Sequence, residues 1–414
     1  MASLSAMVSY SWNDAEAAEL IHEELAIRGF EVFHDRCSFP LGSRIGQNMV
    51  DAVDACDVFV AYLTPSSLYL GKAVGEPRPA LNNEFLPMMQ RWRAACSAAR
   101  HGGPLAPVMV VLTHGLGDPR AQAPQVVLEA TGEDISSLWT PVVLDQTTPR
   151  ISQVEAARVA GCVIRAALAP ERIAALQAPI DLVVITRGEG QAPGFVTVDA
   201  TPSLGGANSR PGTTEDWDRF LVGIRDLQAA LARSTRERQL RILARAHLTA
   251  CLAIGRVFNQ AAGWQLVVAG RHGEAGLPPD ADPDAHIATV VDRIGGRGAM
   301  TVEIDMLGAN VVDLATAVIR STREAPCART QFHRRGTGDL SPEEIGACAA
   351  TVTVAIRRCT AEYKPQVTRV FCASPAEFAV LVGSRLTSLH TDLQFYERDG
   401  DMYVPSLVIR ASEP

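Results

Sequence analysis

Residues 4–14 read LSAMVSYSWND, a short apolar run that turns polar at its end. Its length and content suit a parallel strand buried on both faces, and its carboxyl end delivers Tyr10, Ser11 and Trp12. Asn13 and Glu16 follow at capping-box spacing and predict a helix in which Ala18, Ile21 and Leu25 share a face. Working outward, RGFEVFHD (28–35) predicts a turn glycine and a second strand, IGQNMVDAVDAC (45–56) a helix, and DVFVAYLT (57–64) a third strand. APVMVVLT (106–113) and TPVVLD (140–145) read as two more strands, and ISQVEAARVAGCVIRAAL (151–168) as a closing amphipathic helix. Strands alternating with helices predict an α/β fold whose parallel sheet is covered on both faces. Ligand sites in such sheets lie beyond the carboxyl ends of the strands. Those ends carry Tyr10–Trp12, the loop 36–44, and the segment after Tyr62 that leads to Glu84.

The whole chain has 414 residues, more than one ordinary core supports, so two or three domains are expected. A hydrophobic content of 47% with 20% charged residues is the balance of a packed globular protein. The net charge of −8 argues against broad, nonspecific binding to duplex nucleic acid, while leaving room for a local basic pocket. Lys72 and Lys364 are the only lysines, and neither lies in a phosphate-loop motif. Nine cysteines without a CxxC pair point to reduced thiols, not a disulfide frame or a zinc site. No signal peptide or membrane span is read from the sequence, so a cytoplasmic protein is expected.

The run VSYSWND, the stretch from Asp35 to Ser67 and an acid opening the next helix together resemble a TIR domain over roughly residues 1–170. The resemblance implies a flavodoxin-like sheet and, in enzymatic members, an NAD glycohydrolase whose catalytic acid matches Glu84. One acid suffices for that chemistry. Oxidised nicotinamide departs as a neutral base and needs no proton, whereas an ordinary glycosidase must protonate its leaving oxygen. A carboxylate beside the ribose then steadies the positive charge developing on the sugar. The same position also fits an acid placed for the helix dipole, with Asn82 or Asn83 as N-cap and Pro87 in the first turn. Many enzymatic relatives carry an aromatic four residues before the acid, where Ala80 stands here. The nicotinamide would then stack on Trp12 or Tyr62, or a neighbouring subunit would complete the pocket. In the gating loop, Gly42 permits an unusual backbone, and Ser43 and Arg44 are candidates to face a pyrophosphate.

Proline and alanine thicken in ALAPERIAALQAPID (167–181), which reads as a domain boundary. DLVVITRG (181–188) predicts a strand, TPSLGGANSRPGTTEDW (201–217) a polar loop, and residues 217–232 a helix. An internal echo follows: 241–268 aligns without a gap on 369–396, keeping Arg241 with Arg369 and Gly255 with Gly383. Each copy reads as strand, sharp turn, apolar helix ending at glycine, and strand. In the second copy Ser374, Pro375 and Glu377 have capping-box spacing. Two such units predict a pseudo-two-fold pair of Rossmann-like halves whose helix starts favour anions.

FCASPAEFAVLVG followed by LQFYERDGDMYVP resembles the SAVED domain, a fusion of two CARF-like halves that binds cyclic oligonucleotides in antiphage immunity. The likeness spans roughly 180–414 and implies domains at 1–170 and 171–414, with sensor halves near 180–290 and 291–414. Candidate ligand contacts are Arg245, His247 and Leu248 in the first turn and Ala373, Ser374 and Pro375 in the second. Trp264 is a candidate to stack on a base, and Arg271 and Lys364 to neutralise phosphate. Together the resemblances imply a TIR–SAVED effector of the CBASS type. A cyclic tri- or tetranucleotide activates it and drives self-association, NAD is the substrate, and no metal or cofactor takes part. A non-catalytic TIR adaptor and a nucleoside deoxyribosyltransferase-like enzyme, which also uses one glutamate, are the alternatives.

Overall fold

The computed structural model describes residues 3–33, 51–68, 85–99, 106–131, 142–144, 148, 150–169, 179–187, 194–205, 211–277, 287–293, 298–322, 325–335, 339–387 and 389–411. Glu84, Gly42, Ser43 and Arg44 lie outside these residues. Contacts divide the chain into two units, Met1–Ala175 with Val196–Val198 and Ala229–Thr235, and Leu176–Phe195 with Asp199–Gln228 and Arg236–Pro414.

The first unit runs β1 (Ser5–Ser9), a 3-10 turn (Trp12–Asp14), α1 (Ala15–Ile27), β2 (Glu31–Phe33), β3 (Val58–Leu63) and α2 (Leu86–Ala99). It continues through β4 (Val108–Thr113), α3 (Pro119–Thr131), β5 (Val142–Val143) and α4 (Gln153–Ala167), and residues 51–55 are also helical. The sheet order is β2–β1–β3–β4–β5 with every pairing parallel. This is the doubly wound order whose ligand crevice opens between β1 and β3, where the strand order reverses. Every residue of β1 and β3 is buried, as the central strands of a two-sided sheet require. Phe59, Phe85, Met88 and Val127 belong to one apolar core, so the start of α2 is pinned by Phe85 immediately after Glu84.

Two local expectations fail here. The Asn13–Glu16 capping box does not form: Asp14 is the N-cap of α1, and the Asn13 amide donates to Ser66 Oγ at 2.9 Å. The side chain is drawn to the neighbouring strand end instead of back to its own helix. Helix α3 was not anticipated, because Pro124 lies inside it and breaks the helical pattern. By contrast, the α4 start is closed by a complete capping box between Ser152 and Glu155.

The C-terminal part of the chain, most of it the second unit, opens with β6 (Ile180–Ile185), β7 (Val196–Asp199), α5 (Thr201–Leu204), α6 (Thr214–Ser234), β8 (Gln239–Arg245), α7 (Leu248–Val257), β9 (Gln265–Gly270) and β10 (Gly273–Gly276). After them come β11 (Ile287–Arg293), β12 (Ala299–Asp305), α8 (Val311–Thr322), β13 (Ala328–Arg334) and α9 (Pro342–Tyr363). The chain closes with β14 (Val367–Ala373), α10 (Ala376–Arg385), β15 (Asp392–Asp399) and β16 (Met402–Ile409). The two sheets of this part have the orders β10–β9–β8–β6–β7 and β16–β15–β14–β12–β13–β11. In both, an antiparallel hairpin edges a parallel core.

The duplication reaches further than the sequence echo. Strands β8 and β14, helices α7 and α10, and helices α6 and α9 all start 128 positions apart, at 239 and 367, 248 and 376, and 214 and 342. The caps match as well. Thr213 and Asp216 bond reciprocally before α6, and Ser341 and Glu344 form the corresponding box before α9.

The repeated glycines explain what the duplication holds together. A methyl group on Gly255 would overlap the Val380 carbonyl oxygen and the Ser384 nitrogen. One on Gly383 would overlap the Leu252 carbonyl oxygen and the Arg256 nitrogen. Each glycine therefore meets the counterparts of the residues that its twin meets, so α7 and α10 cross about a local two-fold at backbone contact. Only glycine leaves room for that approach. Both helices run two residues past their glycine, so the glycines are crossing points and not stops.

Candidate functional site

In the first unit the carboxyl ends of β1, β3 and β4 gather a polar cluster. Ser11 Oγ lies 3.0 Å from Ser66 Oγ, and the Thr64 hydroxyl donates to Asp14 Oδ2 at 2.7 Å. Burial raises the Asp14 carboxyl above its ordinary range, partly offset by that hydroxyl and by His114. Trp12 stands beside them with 70% of its surface exposed, free to cover a flat ring. Tyr10 is buried. Tyr62, the other aromatic expected to stack on a ligand, is enclosed: its phenol lies 2.6 Å from His114 Nδ1 and the two rings stack. Burial is the largest cause lifting its pKa. Tyr62 thus serves the wall of the cluster, not its open face.

In the second unit a cavity of about 740 Å³ opens beyond the carboxyl ends of β12, β13 and β14. This is within the range of small-molecule sites. Asp305 ends β12, His333 and Arg334 end β13, and Pro375 precedes α10. Arg271 and His272 come from the β9–β10 turn of the first half, so both halves build the wall. Across it His272 Nε2 approaches Asp339 Oδ2 at 3.2 Å. The lining mixes cations (Arg271, Arg334) with carboxylates (Asp339, Glu377), suited to a ligand carrying both phosphates and hydroxyl or amino donors. Asp305 already accepts the Ala309 N–H at 2.9 Å and shapes the loop at the rim.

Of the expected contacts, Arg271 and Pro375 line this cavity and the rest do not. Trp264 is 1% exposed and packs edge-on against Phe258, so it belongs to the core because no face is left for a base. Lys364 adopts a left-handed conformation as the C-cap of α9, at the far end of a 22-residue helix whose start lines the cavity. Ala373 is buried in an apolar cluster. Ser374 forms no capping box, since its hydroxyl bonds Cys372 Sγ and the Pro375 carbonyl.

The first-half turn is closed. His247 is fully buried, its Nδ1 2.8 Å from Thr186 Oγ1, with Trp217 edge-on against it. Leu248 is half-buried and Arg245 exposed at the end of β8. Glu397 of β15 fills the start of α7, accepting the Thr249 N–H at 3.0 Å and Arg187 Nη2 at 2.6 Å. Burial raises the Glu397 carboxyl, opposed by Arg187 and by the Thr249 and Leu248 amides. Composition and local motifs missed Glu397 and the cavity residues Asp305, His333 and Arg334. The ends of EID (303–305) and FHRR (332–335) could have been found as carboxyl ends of strands.

Among the described residues no cluster of three or more His, Cys, Asp or Glu could hold a metal, and no helix is long and apolar enough to cross a membrane. The described cysteines are free thiols, and burial lifts Cys56 and Cys348 to about 11 and Cys372 to about 12.

A flavodoxin-like α/β domain followed by a duplicated α/β domain with one shared cavity defines a two-domain class, and sequence comparison specifies it. Residues 7–134 match the TIR domain family, and residues 224–409 match the SAVED family, the SMODS-associated and fused to various effectors sensor domain. The chain is a TIR–SAVED fusion. No curated protein sequence matches it. Similar solved structures include the Acinetobacter baumannii Cap4 SAVED/CARF-domain containing receptor with the cyclic trinucleotide 3'3'3'-cAAA, at 12% identity and TM-score 0.48, covering 96% of this chain and 98% of that one. The same receptor with 2'3'3'-cAAA gives 12% and 0.48 over 97% and 99%. The Moraxella osloensis Cap4 receptor gives 12% and 0.42 over 96% and 98%.

Proposed function

We propose that this chain is an NAD-cleaving effector switched on by a cyclic oligonucleotide. The observation that carries the reading is the cavity of about 740 Å³ built by both halves of a domain that matches a sensor family, in a chain that also carries a TIR domain. The ring enters that cavity with phosphates toward Arg271 and Arg334 and with sugar hydroxyls or base amines toward the carboxylates. Ligand binding promotes assembly in which the 36–44 loop of one TIR domain meets Glu84 of the next. Depleting NAD in this way serves antiphage defence.

In the reaction the bond between the ribose carbon and nicotinamide nitrogen breaks. Its electron pair goes to the ring nitrogen, so the base leaves neutral. Glu84 stabilises the cationic sugar, and water adds to that carbon and releases a proton, giving ADP-ribose. Losing one such electrostatic group costs about 3–4 kcal/mol of transition-state stabilisation.

The test is NAD consumption by the full chain with and without 3'3'3'- and 2'3'3'-cAAA, alongside Glu84→Gln. Wild type should consume NAD only with a ring present, and the variant should be slower by about a hundredfold or more. No NAD loss with any ring would return the TIR domain to an adaptor role. Cleavage of free nucleosides but not NAD would favour a transferase.

A further inference from the structure

We infer that His114 is a substrate-binding residue of the TIR cleft, a buried imidazole that donates its Nε2–H to an oxygen of the bound dinucleotide; this rests on the NAD reading above. His114 directly follows β4, at the same sheet edge as the ends of β1 and β3. That edge, beside the point where the strand order reverses, is where ligands of such sheets bind. The residue is 4% exposed, and its Nε2 is buried without a hydrogen-bond partner among the described residues. A buried polar atom left this way costs about 1–3 kcal/mol, which a ligand acceptor would recover.

The surroundings fix which hydrogen the ring carries. Among the described residues the Tyr62 phenol makes no hydrogen bond besides the 2.6 Å contact with His114 Nδ1. The phenol keeps its proton in that buried setting and donates it to Nδ1, the only arrangement that satisfies both groups. The imidazole hydrogen is then on Nε2, and the unpaired atom is a donor, not an acceptor. It calls for an oxygen, and NAD offers its carboxamide, ribose hydroxyls and pyrophosphate. The nearby Asp14 carboxylate is engaged by the Thr64 hydroxyl. The stacked phenol, with ring centroids 6.0 Å apart, holds the imidazole in place.

The experiment uses the full chain with 15N-labelled histidine and saturating 3'3'3'-cAAA, observing the ring nitrogens before and after adding ADP-ribose. The free protein should show His114 as the Nε2–H tautomer, and ADP-ribose should shift that signal. In steady-state cleavage His114→Phe should raise KM for NAD about tenfold with kcat nearly unchanged, the pattern of a lost binding contact. His114→Gln, whose amide nitrogen can stand where Nε2 stands, should restore most of the loss. An Nδ1–H tautomer, or an unmoved signal in protein that cleaves NAD, would overturn the assignment. Equal losses in the Gln and Phe variants would overturn it too. A shifted signal in protein that never cleaves NAD would retain His114 as a ligand contact while removing the enzymatic reading.

Discussion

In the first half of the sensor the start of α7 is filled from within. Glu397 reaches it from β15, takes the Thr249 amide and meets Arg187, while His247 and Trp217 close the turn behind it. In the second half the equivalent start of α10 lies beside the cavity, with Pro375 and Glu377 on the wall. The elements that touch are the same in both halves, with the strand positions one residue out of step. Residues 249 and 377 are counterparts, and each meets the β-hairpin of the other half, at Glu397 and Gly270 respectively. What differs is which side supplies the acid. A carboxylate on the strand satisfies one helix start permanently, whereas Glu377, carried on the helix itself, leaves the other beside open space. A duplicated fold thus yields one lock and one open cavity, the candidate site.

The largest effect should come from the contact that both halves share. Gly255→Ala and Gly383→Ala each force a methyl group into backbone across the α7–α10 crossing, where neither helix can yield without moving the other. Each should cost about 3 kcal/mol or more and be seen as a lowered unfolding midpoint in calorimetry. Equal losses would support the local two-fold; a tolerated alanine at either site would break it.

Next in size is the lock itself. Glu397→Ala should cost about 2–3 kcal/mol, at the low end for a buried ion pair because Arg187 is 40% exposed and water can take over its charge. Glu377→Ala should change stability by less than about 0.5 kcal/mol, since its removal enlarges a cavity already open to solvent. Reversal of these two results would mean that the lock and the site have been assigned to the wrong halves. Smaller still, Arg271→Ala should weaken cyclic oligonucleotide binding about tenfold by calorimetric titration, the worth of one charge-assisted contact. Lys364→Ala should leave that affinity unchanged. A loss at Lys364 equal to that at Arg271 would move the ligand to the other end of α9.

These contrasts also mark what the sequence could and could not yield. The parallel sheet of the first unit was legible because β3 is an unbroken apolar run and β1 is apolar through Ala6–Val8, and burial on both faces favours that composition. Gly255 and Gly383 stood out as a repeated pair, and their shared purpose is backbone contact between two helices. The lock was illegible, because Arg187 and Glu397 are 210 residues apart and each alone is an ordinary surface-type residue. Trp264 misled for the opposite reason: an indole suits a base stack and a core equally, and only burial decides between them. Ser374 had the right spacing for a cap, but its hydroxyl found a nearer partner in Cys372. Local patterns therefore located the elements, while the assignment of side chains to core, lock or cavity depended on distant neighbours.

The subtlest difference between the halves should appear with pH. Burial raises the Glu397 carboxyl above its ordinary value of 4.5, and Arg187 and two amides only partly oppose this. Folded protein then holds that proton more tightly than unfolded chain. The resulting stabilisation is fully present below 4.5 and is lost as pH rises through the raised folded value. Glu397→Gln removes the titration while keeping the shape. Measured against that variant, wild type should gain in unfolding midpoint as pH falls from neutrality toward the ordinary glutamate value. Arg187 pulls in the other direction, but its exposure lets water screen the attraction, so burial should win. If wild type instead loses ground to the glutamine variant on acidification, the ion pair outweighs burial, and Glu397 is a charged clasp on α7 that acid would open.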